Sequence, residues 1–138
     1  MAHKMMTGQT LMPFGVPVVS VEHRGELLRL VADDWRDSAA CTSPNASVRD
    51  SRGVDPFYPA DPDTLTDVAR SICGRCPVQV SCLAVVLISN EDQGIWGGTT
   101  PLVRDRICMD LADGAPVSVV LAGVNAALTA DSGAGVAA

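Results

Sequence analysis

The sequence is short of the groups on which most enzymes and nucleic-acid binders depend. Its only histidines, His3 and His23, both precede the cysteine-bearing region, and it has neither a phosphate-binding glycine loop nor a serine-centred elbow. Conventional hydrolytic chemistry and a small-molecule substrate are therefore not expected. Lysine occurs once, at Lys4, and the other nine of the ten basic residues are arginine against 16 acids, giving a net charge of −6. That balance leaves no electrostatic footprint for nucleic acid, which is bound by neutralising phosphates. Five aromatic residues (Phe14, Trp35, Phe57, Tyr58 and Trp96) must serve a chain of 138 residues. With so little to fill one small core, a metal centre that helps hold the fold would suit this chain. The longest uncharged helical run, Ala115 to Ala130, is too short and mild for a membrane span, so no membrane partner is expected.

What the chain does have is clustered thiol. Cys73, Cys76 and Cys82 fall within ten residues, Cys41 lies upstream and Cys108 downstream. The apolar stretch Leu11 to Val21 is broken by Pro13, Gly15 and Pro17 and does not read as an export signal, so a cytoplasmic location is expected. In that reducing setting, clustered thiols are more often metal ligands or redox groups than structural disulfides. The Cys73-x2-Cys76 turn brings two sulfurs to one centre. A helix from Pro77 returns Cys82 to the same side if its first turn is irregular, and Cys41 must arrive by tertiary structure. Four thiolates suit zinc or a [4Fe-4S] cluster. Three close cysteines plus a remote one favour the cluster, because a zinc ribbon normally carries two Cys-x2-Cys hairpins. A catalytic dithiol at Cys73 and Cys76 ranks third, since no alternating strand and helix pattern surrounds it. The positive end of the helix at Pro77, with Arg75 beside it, is expected to favour thiolate. Cys108 reads as a buried structural thiol.

Periodicity and capping residues predict an all-α fold of about four helices. The first spans Glu22 to Asp34, with Trp35 beyond it as a core anchor. A second is capped by Asp61 before Pro62 and carries Leu65, Val68 and Ile72. A third starts at Pro77, capped by Cys76, and exits near Asn90. The fourth is capped by Thr100, opens at Pro101, places Val103, Ile107 and Leu111 four apart, and stops at Asp113-Gly114. Residues 1–21 read as a flexible leader, and Ala39 to Pro59 as a long loop tied down through Cys41. Val117, Val120, Leu121, Val124 and Leu128 form one apolar stripe, a candidate docking helix, ahead of a small-residue end expected to be disordered. The expected division is an extension at 1–32, an iron–sulfur domain at 33–113 and an Ala/Val/Gly-rich acidic tail at 114–138. Between the last two helices, Gly94-Ile95-Trp96-Gly97-Gly98 predicts a tight turn with an accessible indole, a common interface anchor.

The chain resembles the WhiB-like family of actinobacterial and actinophage iron–sulfur transcriptional regulators. The matching features are Trp35, Ala39-Ala40-Cys41, Asp55-Pro56-Phe57-Tyr58-Pro59, Cys73-x2-Cys76-Pro77-Val78-x3-Cys82-Leu83 and Glu91-x2-Gly94-Ile95-Trp96-Gly97-Gly98. They cover roughly residues 33–110. The resemblance implies a small helical fold around a [4Fe-4S] cluster on Cys41, Cys73, Cys76 and Cys82, responsive to oxygen, nitric oxide or redox state. It implies a non-enzymatic role, with the C-terminal region of the primary sigma factor of RNA polymerase bound through the cluster face and the turn Gly94, Ile95, Trp96, Gly97 and Gly98. The chain departs from DNA-binding members, which carry a basic run after this turn. Here nothing basic follows Arg106, and Asp110, Asp113 and Asp131 make the end acidic, so DNA contact is expected to be weak. The alternatives are a protein disulfide reductase using Cys73 and Cys76 in the cluster-free form, and a structural zinc-binding interaction module.

Overall fold

Threonine and proline bound the clearest element of the fold, as the sequence suggests. Thr100 is extended, its hydroxyl accepts from the Val103 amide at 3.4 Å, and Pro101 occupies the first turn, where its missing N–H costs nothing. The helix that follows turns Ile107, Cys108 and Leu111 inward and ends where Gly114 adopts a φ of 103°. The computed structural model describes residues 10–11, 17–42 and 55–137. Among them are five α-helices: α1 (Val21–Leu28), α2 (Asp67–Gly74), α3 (Gln79–Ile88), the helix just described, α4 (Pro101–Ala112), and α5 (Val117–Ala137). A minimal antiparallel pair, β1 (Thr10–Leu11) and β2 (Pro17–Val18), precedes them, and 3-10 turns occupy Trp35–Ser38 and Ala40–Thr42. The all-α expectation holds, with one helix more than expected.

The core is built around α3. Leu83, Ala84, Val86 and Leu87 meet Leu27 of α1, Ile107, Cys108 and Leu111 of α4, and Val117 and Leu121 of α5. Its β-branched residues permit a strand by local preference, but burial among these helices decides for helix. The left-handed Asn90 (φ 55°) ends it, in line with the expected exit, and the Glu91 amide reaches back to the Val86 carbonyl at 3.1 Å. Cys108 is a buried, free thiol of this core.

Several boundaries differ from those expected. α1 ends at Leu28 rather than Asp34 because the chain is pulled onto α3: the Ala32 amide donates to Ser81 Oγ at 3.1 Å, and that hydroxyl donates to the Leu30 carbonyl at 3.1 Å. Leu28 is consequently exposed while Leu27 is fully buried. α2 is capped by Thr66, which accepts from the Ala69 amide at 3.2 Å, and not by Asp61. Asp61 instead accepts from Asp63 two residues on, a local turn that competes with helix initiation. α3 begins at Gln79, two residues after Pro77, and Val78 takes the capping position with no side-chain cap.

The expected leader and tail are corrected where they are described. Val18 and Val19 are buried, β2 packs on α4, and Ser20 caps α1 by accepting from the His23 amide at 3.2 Å. Residues 1–9 and 12–16 of that leader, and 43–54 of the long loop, lie outside the described residues. The apolar stripe of α5 docks on the chain's own core through Val117, Leu121 and Leu128, and the helix continues to Ala137 where disorder was expected. Among the described residues no single helix is long and apolar enough to cross a membrane.

The observed start of α2 is directly testable. Thr66→Ala is expected to lower unfolding free energy by about 1 kcal/mol in urea titrations, while Asp61→Ala costs less than about 0.5 kcal/mol. The reverse order would place the cap at Asp61.

Candidate metal centre

The C-terminal end of α2 supplies Cys73, the α2–α3 connection supplies Cys76, the first turn of α3 supplies Cys82, and the second 3-10 turn supplies Cys41. All four line one cavity of about 300 Å³, with Trp35, Phe57, Tyr58, Ile72, Ile95 and Trp96 forming its largely apolar wall. The late start of α3 is what allows this. Pro77 and Val78 form a non-helical turn, so the Cys82 thiol swings back beside Cys73 and Cys76. Cys73 is buried, Cys76 and Cys82 are half-buried, and Cys41 sits exposed at the mouth.

Backbone amides point at the sulfurs. The Ala40 amide donates to Cys76 Sγ at 3.4 Å, which fixes the Cys41 segment against the Cys-x2-Cys turn. The Gly98 amide lies near the Cys73 thiol and the Gly97 amide near the Cys82 thiol, where each favours the thiolate. These two amides belong to a tight turn in which Trp96 and Thr99 exchange backbone hydrogen bonds of 3.1 and 2.9 Å. Gly97 and Gly98 have φ of 56° and 75°, a left-handed backbone that side chains rarely adopt. The Ile95 amide donates to the Phe57 carbonyl at 2.8 Å, so the aromatic Pro56–Pro59 segment is held against the same turn.

Both tryptophans sit differently from expectation. Trp35 is half-buried and lines the cavity instead of anchoring the core, with Arg36 stacked 4.9 Å from its ring centroid. Trp96 is half-buried, packs against the core as well as the cavity, and donates its indole N–H to the Gln93 carbonyl at 2.8 Å. Its polar edge is therefore already satisfied within the chain, and what it offers outward is ring surface.

Two residues that hold this turn carry no obvious sequence motif. Arg104 is buried at 4% exposure. Its guanidinium donates to the carbonyls of Glu91 (3.1 Å), Gly94 (2.9 Å), Thr99 (2.7 Å) and Gln93 (3.4 Å), and to the Thr99 hydroxyl. One planar fork thus satisfies carbonyls on both sides of the turn, which an ammonium point charge could not span. Gln79, 2% exposed, donates to the Gly97 carbonyl at 2.7 Å and accepts from Asn125 of α5 at 2.9 Å. A signal for Arg104 did exist: it falls on the 104, 107, 108, 111 stripe of α4, the face that turns inward.

Burial sets the state of the free thiols. It pushes Cys73 up to about 11 and Cys82 up to about 12, with neighbouring cysteines adding to the rise and the glycine amides opposing it. Burial and Cys76 also raise Cys41. The expectation of thiolates favoured by the helix start and Arg75 is corrected: α3 begins later than expected, and Arg75 is exposed and bonded to Ser71 at 3.1 Å. A thiol held at about 11 is a poor nucleophile near neutrality, which weakens the dithiol reading of Cys73 and Cys76. The set fits a metal centre well: it is all sulfur, walled by apolar side chains and met by amide donors, the arrangement that soft thiophilic metals and iron–sulfur clusters use.

A sequence profile described as "Transcription factor WhiB" matches residues 35–107, which include all four cavity cysteines and the Trp96 turn. The chain belongs to the WhiB family. The transcriptional regulator WhiD of Streptomyces coelicolor is 34% identical over 82 residues, covering 54% of this chain and 64% of WhiD, a little under two thirds of its length. WhiB1 of Mycobacterium tuberculosis is 35% identical over 71 residues (47% of this chain, 73% of WhiB1), and WhiB2 of the same organism 35% over 77 (54% and 74%). Both are named transcriptional regulators. No solved structure matches the chain. The WhiB match ends within α4, so α5 lies wholly beyond it.

Two outcomes follow for the reduced, metal-free chain. Cys73 and Cys82 titrate higher folded than the ordinary thiol value of 9.0, so the unfolded chain releases protons first as pH rises. Stability is fully present below about pH 9 and falls as pH climbs through 11 to 12; denaturation midpoints between pH 8 and 10.5 should drop, and drop less in Cys73→Ser/Cys82→Ser. Arg104→Met leaves several buried carbonyls without donors and should cost about 3 kcal/mol in urea unfolding, with Arg104→Lys recovering only part.

Proposed function

We propose that this WhiB-family chain is a [4Fe-4S]-bearing transcription regulator that acts mainly by binding the C-terminal region of the primary sigma factor, responding to oxygen, nitric oxide or redox state. One observation carries the reading. The four thiols share one cavity that Trp96 and Gly97 of the glycine turn also line. When bound, the cluster would supply oxidant- and nitric-oxide-sensitive iron chemistry at this point. Cys73, Cys76 and Cys82 would hold it from the α2–α3 connection, and Cys41 would close the solvent side. Among the described residues no group of three or more His, Cys, Asp or Glu side chains is drawn together around a single point as a metal ion would need.

The residues of the chain then couple sensing to docking. The Gly97 and Gly98 amides sit beside Cys82 and Cys73, so a change in ligation would alter the contacts of the backbone on which Trp96 is carried, while Gln79 and Arg104 keep hold of its carbonyls. Ile95 and Phe57 move with it through their shared hydrogen bond. The partner surface on this reading is the outward ring face of Trp96; Gly94, Ile95, Gly97 and Gly98 are buried behind it and set its position. The relatives named as transcriptional regulators support the process, and the acidic C-terminus supports protein contact over DNA contact.

Anaerobic co-purification with sigma factor, with iron and sulfide measured on the same sample, tests this. A brown protein with about four irons and four sulfides per chain is expected. Trp96→Ala should abolish sigma-factor recovery and leave the iron content unchanged. A colourless protein carrying one zinc would overturn the cluster, and undiminished recovery of sigma factor by Trp96→Ala would overturn the docking role.

A further inference from the structure

The turn that carries Trp96 is held from below by a helix outside the family match. On α5, Asn125 and Leu128 are one turn apart on the face directed at the metal centre. Asn125 Nδ2 donates to Gln79 Oε1 at 2.9 Å, and Gln79 Nε2 donates to the Gly97 carbonyl at 2.7 Å. Leu128 is buried directly beneath Gly98, where a Cβ would collide with its methyl groups. The glycine peptides so gripped are those whose N–H groups meet Cys82 and Cys73. Gln79 has no alternative partner set on this route: the amide that binds Gly97 is oriented by what Asn125 gives its oxygen.

We propose that Asn125 and Leu128 of α5 are positioning residues for the metal centre, acting through Gln79 and Gly98 to aim the Gly97 and Gly98 amides at the ligating sulfurs. The proposal rests on the reading of Cys41, Cys73, Cys76 and Cys82 as cluster ligands. The C-terminal helix is on this view a working part of the site, which the matched segment 35–107 does not include. Outer hydrogen bonds of this kind commonly change metal retention by 10- to 100-fold when removed.

The test uses the full chain with Asn125→Leu, which keeps volume and removes the amide, and Asn125→Gln, which keeps an amide donor on a longer stem at a half-buried position. In the metal-free protein, Asn125→Leu should shift the Gly97 and Gly98 amide resonances in 15N NMR, and Asn125→Gln should return them most of the way. In the loaded protein, Asn125→Leu should shorten cluster lifetime against an iron chelator under nitrogen by about tenfold and move the iron–thiolate Raman bands. Leu128→Ala should give the same pattern through Gly98. Unmoved glycine amides with wild-type cluster lifetime in Asn125→Leu would overturn the clamp. So would a shortened lifetime with unmoved amides, since that assigns α5 a packing role alone. If the wild-type chain takes up no cluster, the ligand reading fails, and the glycine amide shifts of the metal-free protein still decide whether α5 positions the turn.

Discussion

A glycine turn cannot hold itself. Gly97 and Gly98 contribute no side chains, and their left-handed backbone is a state that an isolated chain visits only briefly. The geometry persists because two buried polar side chains grip its carbonyls from opposite sides, Gln79 of α3 and Arg104 of α4. Each of those groups is itself expensive to bury and is tolerated because its hydrogen bonds are made. The rest of the site depends on this bargain, since the peptides so fixed present their amides to Cys73 and Cys82 and their neighbour Trp96 to the cavity.

The cavity in turn shows why a metal suits this fold. Burial alone keeps Cys73 and Cys82 protonated, and four thiols facing one another across an apolar pocket gain little from each other as neutral groups. Ligation requires them to lose protons, so metal uptake and proton release are linked and affinity rises with pH. The chain is thus arranged so that its least self-sufficient region, the Cys41 turn and the Phe57 segment, converges where an inorganic centre would cross-link it. The compact helical core of α1, α3, α4 and α5 stands apart from that need, being packed by leucine, valine and isoleucine.

How much of this was legible in the sequence varied with the range of the interaction. Thr100-Pro101 and Asp113-Gly114 state the limits of α4 within a few residues, and the structure follows them. That the four cysteines line one cavity was legible for three of them from local spacing, and for Cys41 as a thiol that tertiary structure had to bring in. The boundaries of α1 and α2 were misread because distant or competing contacts decide them: Ser81 draws residues 30–32 onto α3, and Asp61 spends its carboxylate on a local turn. The leader and tail were misread for a related reason. Val18 and Val19 are unremarkable in composition, and only the surfaces they cover give them a fixed place, whereas Leu128 takes the buried position that its apolar stripe predicts. Gln79 and Arg104 lay hidden between motifs, although Arg104 stands in phase with the buried residues of its helix.

The placement of Arg104 also bears on which partner the chain can meet. The sequence after the turn offers two bases, Arg104 and Arg106, and the first is withdrawn into the interior, where its donors are spent on backbone carbonyls. Arg106 alone remains on the exposed face of α4, accompanied by Asp105, Asp110 and Asp113, all exposed. Each neutralised phosphate contributes a salt-dependent increment to DNA affinity, and a single arginine among three carboxylates provides almost none. The same face carries Leu102 and Met109 open to solvent. By its own charge, a helix of this kind beside the thiol cavity has little to offer a phosphate backbone.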